Sequence, residues 1–175
     1  MEIIQDLIPK GRINRPGVKN SCTYITIHDT ANKKKGADAA AHARYIKTIT
    51  DKTSWHYTVD DHSVYQHLPD EEKSYHTSDK EANENSIAIE MCVNSDGDYN
   101  KTVENTICLV RELIKKHGIL PSRICRHEYW TGKNCPASMS EEEWREFVKR
   151  CAETEDDKFI TIDELRAMGY VGVKW

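Results

Sequence analysis

Nowhere in this chain is there an apolar run approaching the ~20 residues that a membrane-spanning helix requires, so no membrane insertion is expected. The N-terminus, Met1-Glu-Ile-Ile-Gln-Asp6, lacks the basic and apolar regions of a signal peptide, which predicts a soluble protein made in the cytosol. A basic stripe is also missing: the net charge is -4, the pI is near 6.1, and Lys and Arg are scattered, which argues against a nucleic-acid partner. The six cysteines show no tight repeated spacing, and without a secretion signal they are expected to be free thiols. Cys22, Cys92, Cys108, Cys125 and Cys151 read as small, buried or partly buried fillers, with Cys135 set apart. No repeat or low-complexity tract breaks the chain.

What the sequence does contain is 175 residues with 38% hydrophobic content, enough for one core and hardly two. Segments of period-2 and helical patterning alternate, which predicts an α/β fold with a central mixed β-sheet flanked by helices. The first ~20 residues, with Pro9, Gly11, Pro16 and Gly17, read as an extended arm. Thr23 to His28 alternates as a strand, Ile25 and Ile27 on one face and Tyr24, Thr26 and His28 on the other. Asp38 is placed to cap a helix through about Ile49, with Ala41, Tyr45 and Ile49 at i, i+4 spacing. A hairpin is expected from Trp55 to Val59 and Val64 to Leu68, turning at Asp60-Asp61-His62-Ser63.

A polar loop is expected from Pro69 to Asn85. Ser86 to Cys92 then alternates again, so that Ile87, Ile89 and Met91 face the core and Glu90 is presented on the opposite face. Val103, Ile107, Val110, Leu113 and Ile114 mark a long helix stopped at His117-Gly118. Ile124 to His127 reads as a short strand or extended entry to a loop. Ser140 and Glu143 form a capping box before a helix carrying Trp144, Phe147 and Val148 on one face. A second box, Thr161 to Glu164, precedes a short helix stopped by Gly169, and Tyr170 to Trp175 reads as a small strand. The expected division is therefore a catalytic unit over residues 1–152 and a short extension, helix plus strand, over 153–175.

One trio stands out by its chemistry. His28 closes the first alternating strand, and His127 and Cys135 lie close together a hundred residues later. Two imidazoles and a thiolate suit a catalytic zinc, because three protein ligands leave the fourth tetrahedral position open, whereas structural zinc sites close it. Alone the pattern is weak, since eight His and six Cys allow many accidental combinations.

The surrounding blocks add specificity. Tyr24-Ile-Thr-Ile-His28-Asp-Thr-Ala-Asn32, Ser54-Trp-His-Tyr-Thr-Val-Asp-Asp61, Tyr65-Gln-His-Leu-Pro69, Ser86-Ile-Ala-Ile-Glu90 and His127-Glu-Tyr-Trp-Thr-Gly-Lys-Asn-Cys-Pro136 occur in that order. Over residues 20 to 150 the chain resembles the type-2 N-acetylmuramoyl-L-alanine amidases, the superfamily that includes peptidoglycan recognition proteins. It is most similar to endolysins and prophage amidases of Gram-positive bacteria. The resemblance implies an amidase/peptidoglycan recognition protein-like sheet and Zn2+ held by His28, His127 and Cys135. It also implies Glu90 and Lys133 in catalysis, bacterial peptidoglycan as substrate, and cleavage between N-acetylmuramic acid and L-alanine. Synthesis in the bacterial cytoplasm without a signal peptide, then action on the cell wall after release, would suit an endolysin.

Chemistry supports these roles. Amide hydrolysis needs an activated water, a stabilised oxyanion and a proton for the leaving amine. Zinc would supply the first two, Glu90 would carry the proton, and Lys133, two residues from Cys135, would hold the oxyanion and favour the thiolate. His56, His76 and Trp55 are candidates for substrate binding, while Trp55 and Trp130 read more readily as packing residues than as sugar platforms. Alternative readings are a non-catalytic muropeptide-binding protein of the same fold, a cytosolic muropeptide-recycling amidase, and a cysteine peptidase using Cys135. The last normally places Cys before His in the chain, the reverse of the order here.

Overall fold

The computed structural model describes residues 2–153. Its strands are β1 (Ile3–Gln5), β2 (Tyr24–Asp29), β3 (Tyr57–Val59), β4 (Val64–Gln66), β5 (Ser86–Met91) and β6 (Ile124–Arg126). Its helices are α1 (Ala39–Ile46), α2 (Lys80–Asn85), α3 (Tyr99–His117), α4 (His127–Thr131) and α5 (Glu141–Ala152). The strands form one sheet in the order β1-β4-β3-β5-β2-β6, parallel throughout except for the β3–β4 hairpin. The mixed sheet flanked by helices is the expected class.

The two alternating segments, β2 and β5, are parallel neighbours in the middle of this sheet, with His28 opposite Glu90 in the register. Ile25, Ile27, Ile87, Ile89 and Met91 point to the face covered by α3 and α5, where they join Leu109, Val110, Leu113 and Phe147 in the main core. Each such side chain, fully buried, contributes about 1.5–3 kcal/mol relative to exposure. The polar face does not meet solvent either: Thr26 and His28 are buried, as befits a central parallel strand covered on both sides. Ile46, Ile49, Ile8, Trp55, Leu68 and Ala88 form a smaller cluster on that side.

Helix ends follow their sequence signals. Asp38 accepts from the Ala41 amide at 2.7 Å, and Gly118, at φ +66, closes α3 by donating to the Ile114 carbonyl. The Ser140–Glu143 capping box is complete in α5. The hairpin turns where expected, on Asp60, whose carboxylate accepts from the His62 and Ser63 amides and from the α1 amide of Ala39.

Several expectations need correction. The N-terminal arm contains β1, an edge strand parallel to β4, because three residues of pairing leave almost no periodic trace in sequence. The segment from Pro69 to Asn85 is not all loop: Asp79 caps α2, whose sequence Lys-Glu-Ala-Asn-Glu-Asn has no apolar stripe to reveal it. α1 ends at Ile46, and its buried face is Ala39, His42, Ala43 and Ile46, leaving Tyr45 58% exposed. The face through Ala41 and Tyr45 lines a cavity instead. Among the fillers, Cys108 is exposed; all six cysteines are free. The second capping box, the helix ending at Gly169 and the strand Tyr170 to Trp175 lie outside the described residues. So does all of the 153–175 extension except Glu153.

Candidate metal centre and cleft

Three chain segments converge at the carboxyl ends of β2, β5 and β6. β2 delivers His28 near its end, and β6 runs straight into α4, whose first residue is His127. α4 lasts barely a turn because Gly132, at φ +72, reverses the chain at the conformation least costly to glycine. The returning loop brings Cys135 back, and its carbonyl accepts from the Glu128 amide at 3.3 Å. Asp29 staples the same loop to β2: one carboxylate oxygen accepts from both the amide and the hydroxyl of Ser138, each at 2.9 Å.

The result is a cluster of three buried side chains whose donor atoms all lie within 4.8 Å of one another. His28 Nδ1 is 3.1 Å from His127 Nδ1 and 3.8 Å from Cys135 Sγ. Tetrahedral bonds of usual length around zinc separate two nitrogens by about 3.3 Å, and nitrogen from sulfur by about 3.6 Å. The donor set and its spacing therefore fit zinc, with one position left for a non-protein ligand.

Electrostatics point the same way. Burial drives the His28 imidazole well below its ordinary value, reinforced by His76, His127 and Lys133, and burial with Lys133 lowers His127. Both are neutral lone-pair donors. Burial pushes the Cys135 thiol up to about 11, against the pull of the Asp29 backbone amide; Glu90 and Asp29 raise it further, and Lys133 opposes them. Lys133 was expected to favour the thiolate, and its pull is in that direction, but burial outweighs it. A thiolate–imidazolium pair is thus disfavoured, whereas a cation shared by the three donors would displace the thiol proton.

Glu90 stands beside His28 on the neighbouring strand and on the same face. Its carboxyl is held well above the usual range, first by burial and then by Asp29, with Lys133 opposing. Glu90 Oε2 is buried without a hydrogen-bond partner. Glu90 itself lines a cavity of about 470 Å³ whose walls also include Thr30, Asn32, Ala41, Tyr45 and Trp55. Thr30 Oγ1 is a second buried polar atom without a partner there. Lys133 is exposed and has no carboxylate within salt-bridge distance among the described residues.

The remaining candidates separate. Trp55 lines the cavity, its indole N–H donating to Thr58 Oγ1 at 2.7 Å. Trp130 packs edge-on against Tyr24 and donates to Thr26 Oγ1 at 3.0 Å, the packing role expected of it. His56 is fully buried, with Nδ1 accepting from the Ala88 amide at 2.9 Å and Nε2 donating to the Glu72 carbonyl at 2.8 Å, so both ring nitrogens are engaged by the backbone. Both ring nitrogens of His76 are likewise engaged inside the protein, one of them with His28. Asp29, Thr30 and Tyr45 were not singled out as site residues. Asp29 and Thr30 stand in the first motif block directly after His28, a placement that carried the signal.

A mixed sheet that gathers a His–His–Cys cluster able to hold a metal ion, with a partly buried glutamate beside it at the strand ends, defines an α/β protein of the amidase fold class. The chain belongs to the N-acetylmuramoyl-L-alanine amidase family, whose profile matches residues 18–138. It is 48% identical over 141 residues to the N-acetylmuramoyl-L-alanine amidase XlyA of Bacillus subtilis, covering 79% of this chain and 48% of XlyA. It is 43% identical over 149 residues to CwlH, an amidase of the same organism, covering 83% of this chain and 59% of CwlH. The chain thus spans about half the length of these relatives. Among solved structures, the catalytic domain of XlyA superposes with a TM-score of 0.83 at 46% identity, covering 86% of this chain and 99% of that domain. PlyL superposes at 0.80 with 28% identity, covering 88% of this chain and all of its own.

Proposed function

We propose that this chain hydrolyses the amide between N-acetylmuramic acid and the L-alanine of the stem peptide in bacterial peptidoglycan, as a zinc-dependent endolysin-type amidase acting on the cell wall. The observation that carries this reading is the convergence of His28 Nδ1, His127 Nδ1 and Cys135 Sγ beside a buried, unpartnered Glu90 oxygen at a cavity. Bound at those three ligands, zinc supplies Lewis acidity and an acidified water. Glu90 takes the proton of the attacking water and returns it to the alanine nitrogen as the C–N bond breaks. Its environment, which favours the protonated carboxyl, suits the second half of that cycle. The Lys133 ammonium, without a carboxylate partner among the described residues, is the group to hold the developing oxyanion. Trp55 and Tyr45 wall the cavity that would seat the substrate around the amide. The catalytic unit is assigned to residues 1–152, with 153–175 as an extension; the family match ends at 138 and α5 at Ala152.

Digestion of purified sacculi tests the reading. New L-alanine amino termini are expected, lost with a chelator and restored by zinc. New reducing sugar ends, or chelator-resistant cleavage between amino acids, would overturn it. Activity confined to small anhydro-muropeptides would replace the wall-lytic role with muropeptide recycling.

A further inference from the structure

His76 belongs to none of the elements that supply the metal cluster, yet its ring lies edge-on to His28, with centroids 5.0 Å apart and planes at 88°. Its Nδ1 is 2.9 Å from His28 Nε2, and its Nε2 is 3.2 Å from the carbonyl oxygen of Ala82. That carbonyl can only accept, so His76 Nε2 must carry a proton. A neutral His76 then has a bare Nδ1, which can only accept, and the proton between the rings must sit on His28 Nε2. His28 Nδ1 is left as a lone pair, and it is this atom that faces His127 and Cys135. The chain of donors and acceptors admits one neutral tautomer at each ring.

We propose that His76 is a positioning residue for the metal centre, fixing the tautomer and orientation of His28 so that Nδ1 is preformed as a ligand. This rests on the zinc reading of the cluster. The supporting structure is local and specific. α2 grips His76 twice: Asn83 Oδ1 accepts from the His76 amide at 3.0 Å, and the Ala82 carbonyl receives the ring. Asn83 also returns a hydrogen bond from Nδ2 to the Thr77 carbonyl at 3.0 Å. α2 then continues without a break into β5 and Glu90, so one short helix anchors the partner of a metal ligand and the start of the catalytic strand. Outer partners of this kind orient ligating histidines, and their loss typically weakens metal binding about 10- to 100-fold.

The test combines tautomer assignment with metal affinity. Nitrogen-15 NMR of the zinc-free native protein should find the His28 proton on Nε2. Zinc affinity, measured by competition with a chelating dye, should fall about 10- to 100-fold in His76→Leu. In His76→Asn the amide oxygen takes the place of Nδ1 and still accepts from His28, so affinity should stay close to native. A proton on His28 Nδ1 in the native protein, or native affinity in His76→Leu, would overturn the proposal. If His76→Leu does not fold, the native tautomer and the Asn variant decide it. Should the native chain bind no zinc, the metal reading fails separately, while the tautomer measurement still judges the role of His76.

Discussion

Glu90 lines the cavity and carries one oxygen that is buried and unpartnered, an arrangement that costs stability and calls for a functional reason. Glu90→Gln keeps the shape and removes the proton carrier. Turnover of the amide should fall about 10²- to 10⁴-fold while zinc affinity stays near native, read by amino-terminus release and chelator competition on the same preparation. Equal loss of both would instead make Glu90 a support for the metal site. At this scale the chemistry was unevenly legible. His28, Glu90, His127, Lys133 and Cys135 stand in ordered blocks whose residue types suggest their chemistry. His56 and His76 look alike in sequence, each a histidine beside an aromatic residue, and only their partners separate them: two backbone groups for His56, and His28 plus a backbone carbonyl for His76.

Elements with strong local signals were readable, and those made by their neighbours were not. The alternation of β2 and β5, the stripe and glycine stop of α3, and the capping box of α5 each encode their own geometry. β1, α2 and α4 are too short for a period to register: β1 takes its place from the open sheet edge at β4, α2 from its local Asp79 cap, and α4 from the Gly132 reversal and the Glu128–Cys135 backbone bond. Asp60 illustrates how one turn serves several elements. Its carboxylate is nearly buried, closes the β3–β4 turn through the His62 and Ser63 amides, and holds the first amide of α1. Asp60→Ala should destabilise the fold by about 1.5–3 kcal/mol, measured as a shift of the urea midpoint, because a charge-assisted set of hydrogen bonds is lost at once. A shift within experimental error would mean that water replaces the carboxylate at the turn.

The whole molecule buries several histidines in neutral form, which sets its response to acid. Burial holds His56 down to about 4 and His67 to about 3. An unfolded histidine titrates near 6.5, so between these values the unfolded chain binds more protons than the folded one. Stability is therefore full above pH 6.5 and is lost as the pH falls toward 4, at about 1.4 kcal/mol per pH unit for each such histidine. Urea midpoints of chelated protein should hold level down to about pH 6.5 and decline from there to about 4.5; a flat profile would show that these rings are not held neutral. The sequence by itself determined the class of fold, the faces of the central strands and the candidates for the site, because periodicity and residue type are local properties. Tertiary structure decided which candidates touch. Donor atoms from residues up to 107 positions apart converge through sheet order, helix length and a glycine reversal. A hydrogen bond between two histidines depends on where α2 and β2 lie in space, which no local pattern records.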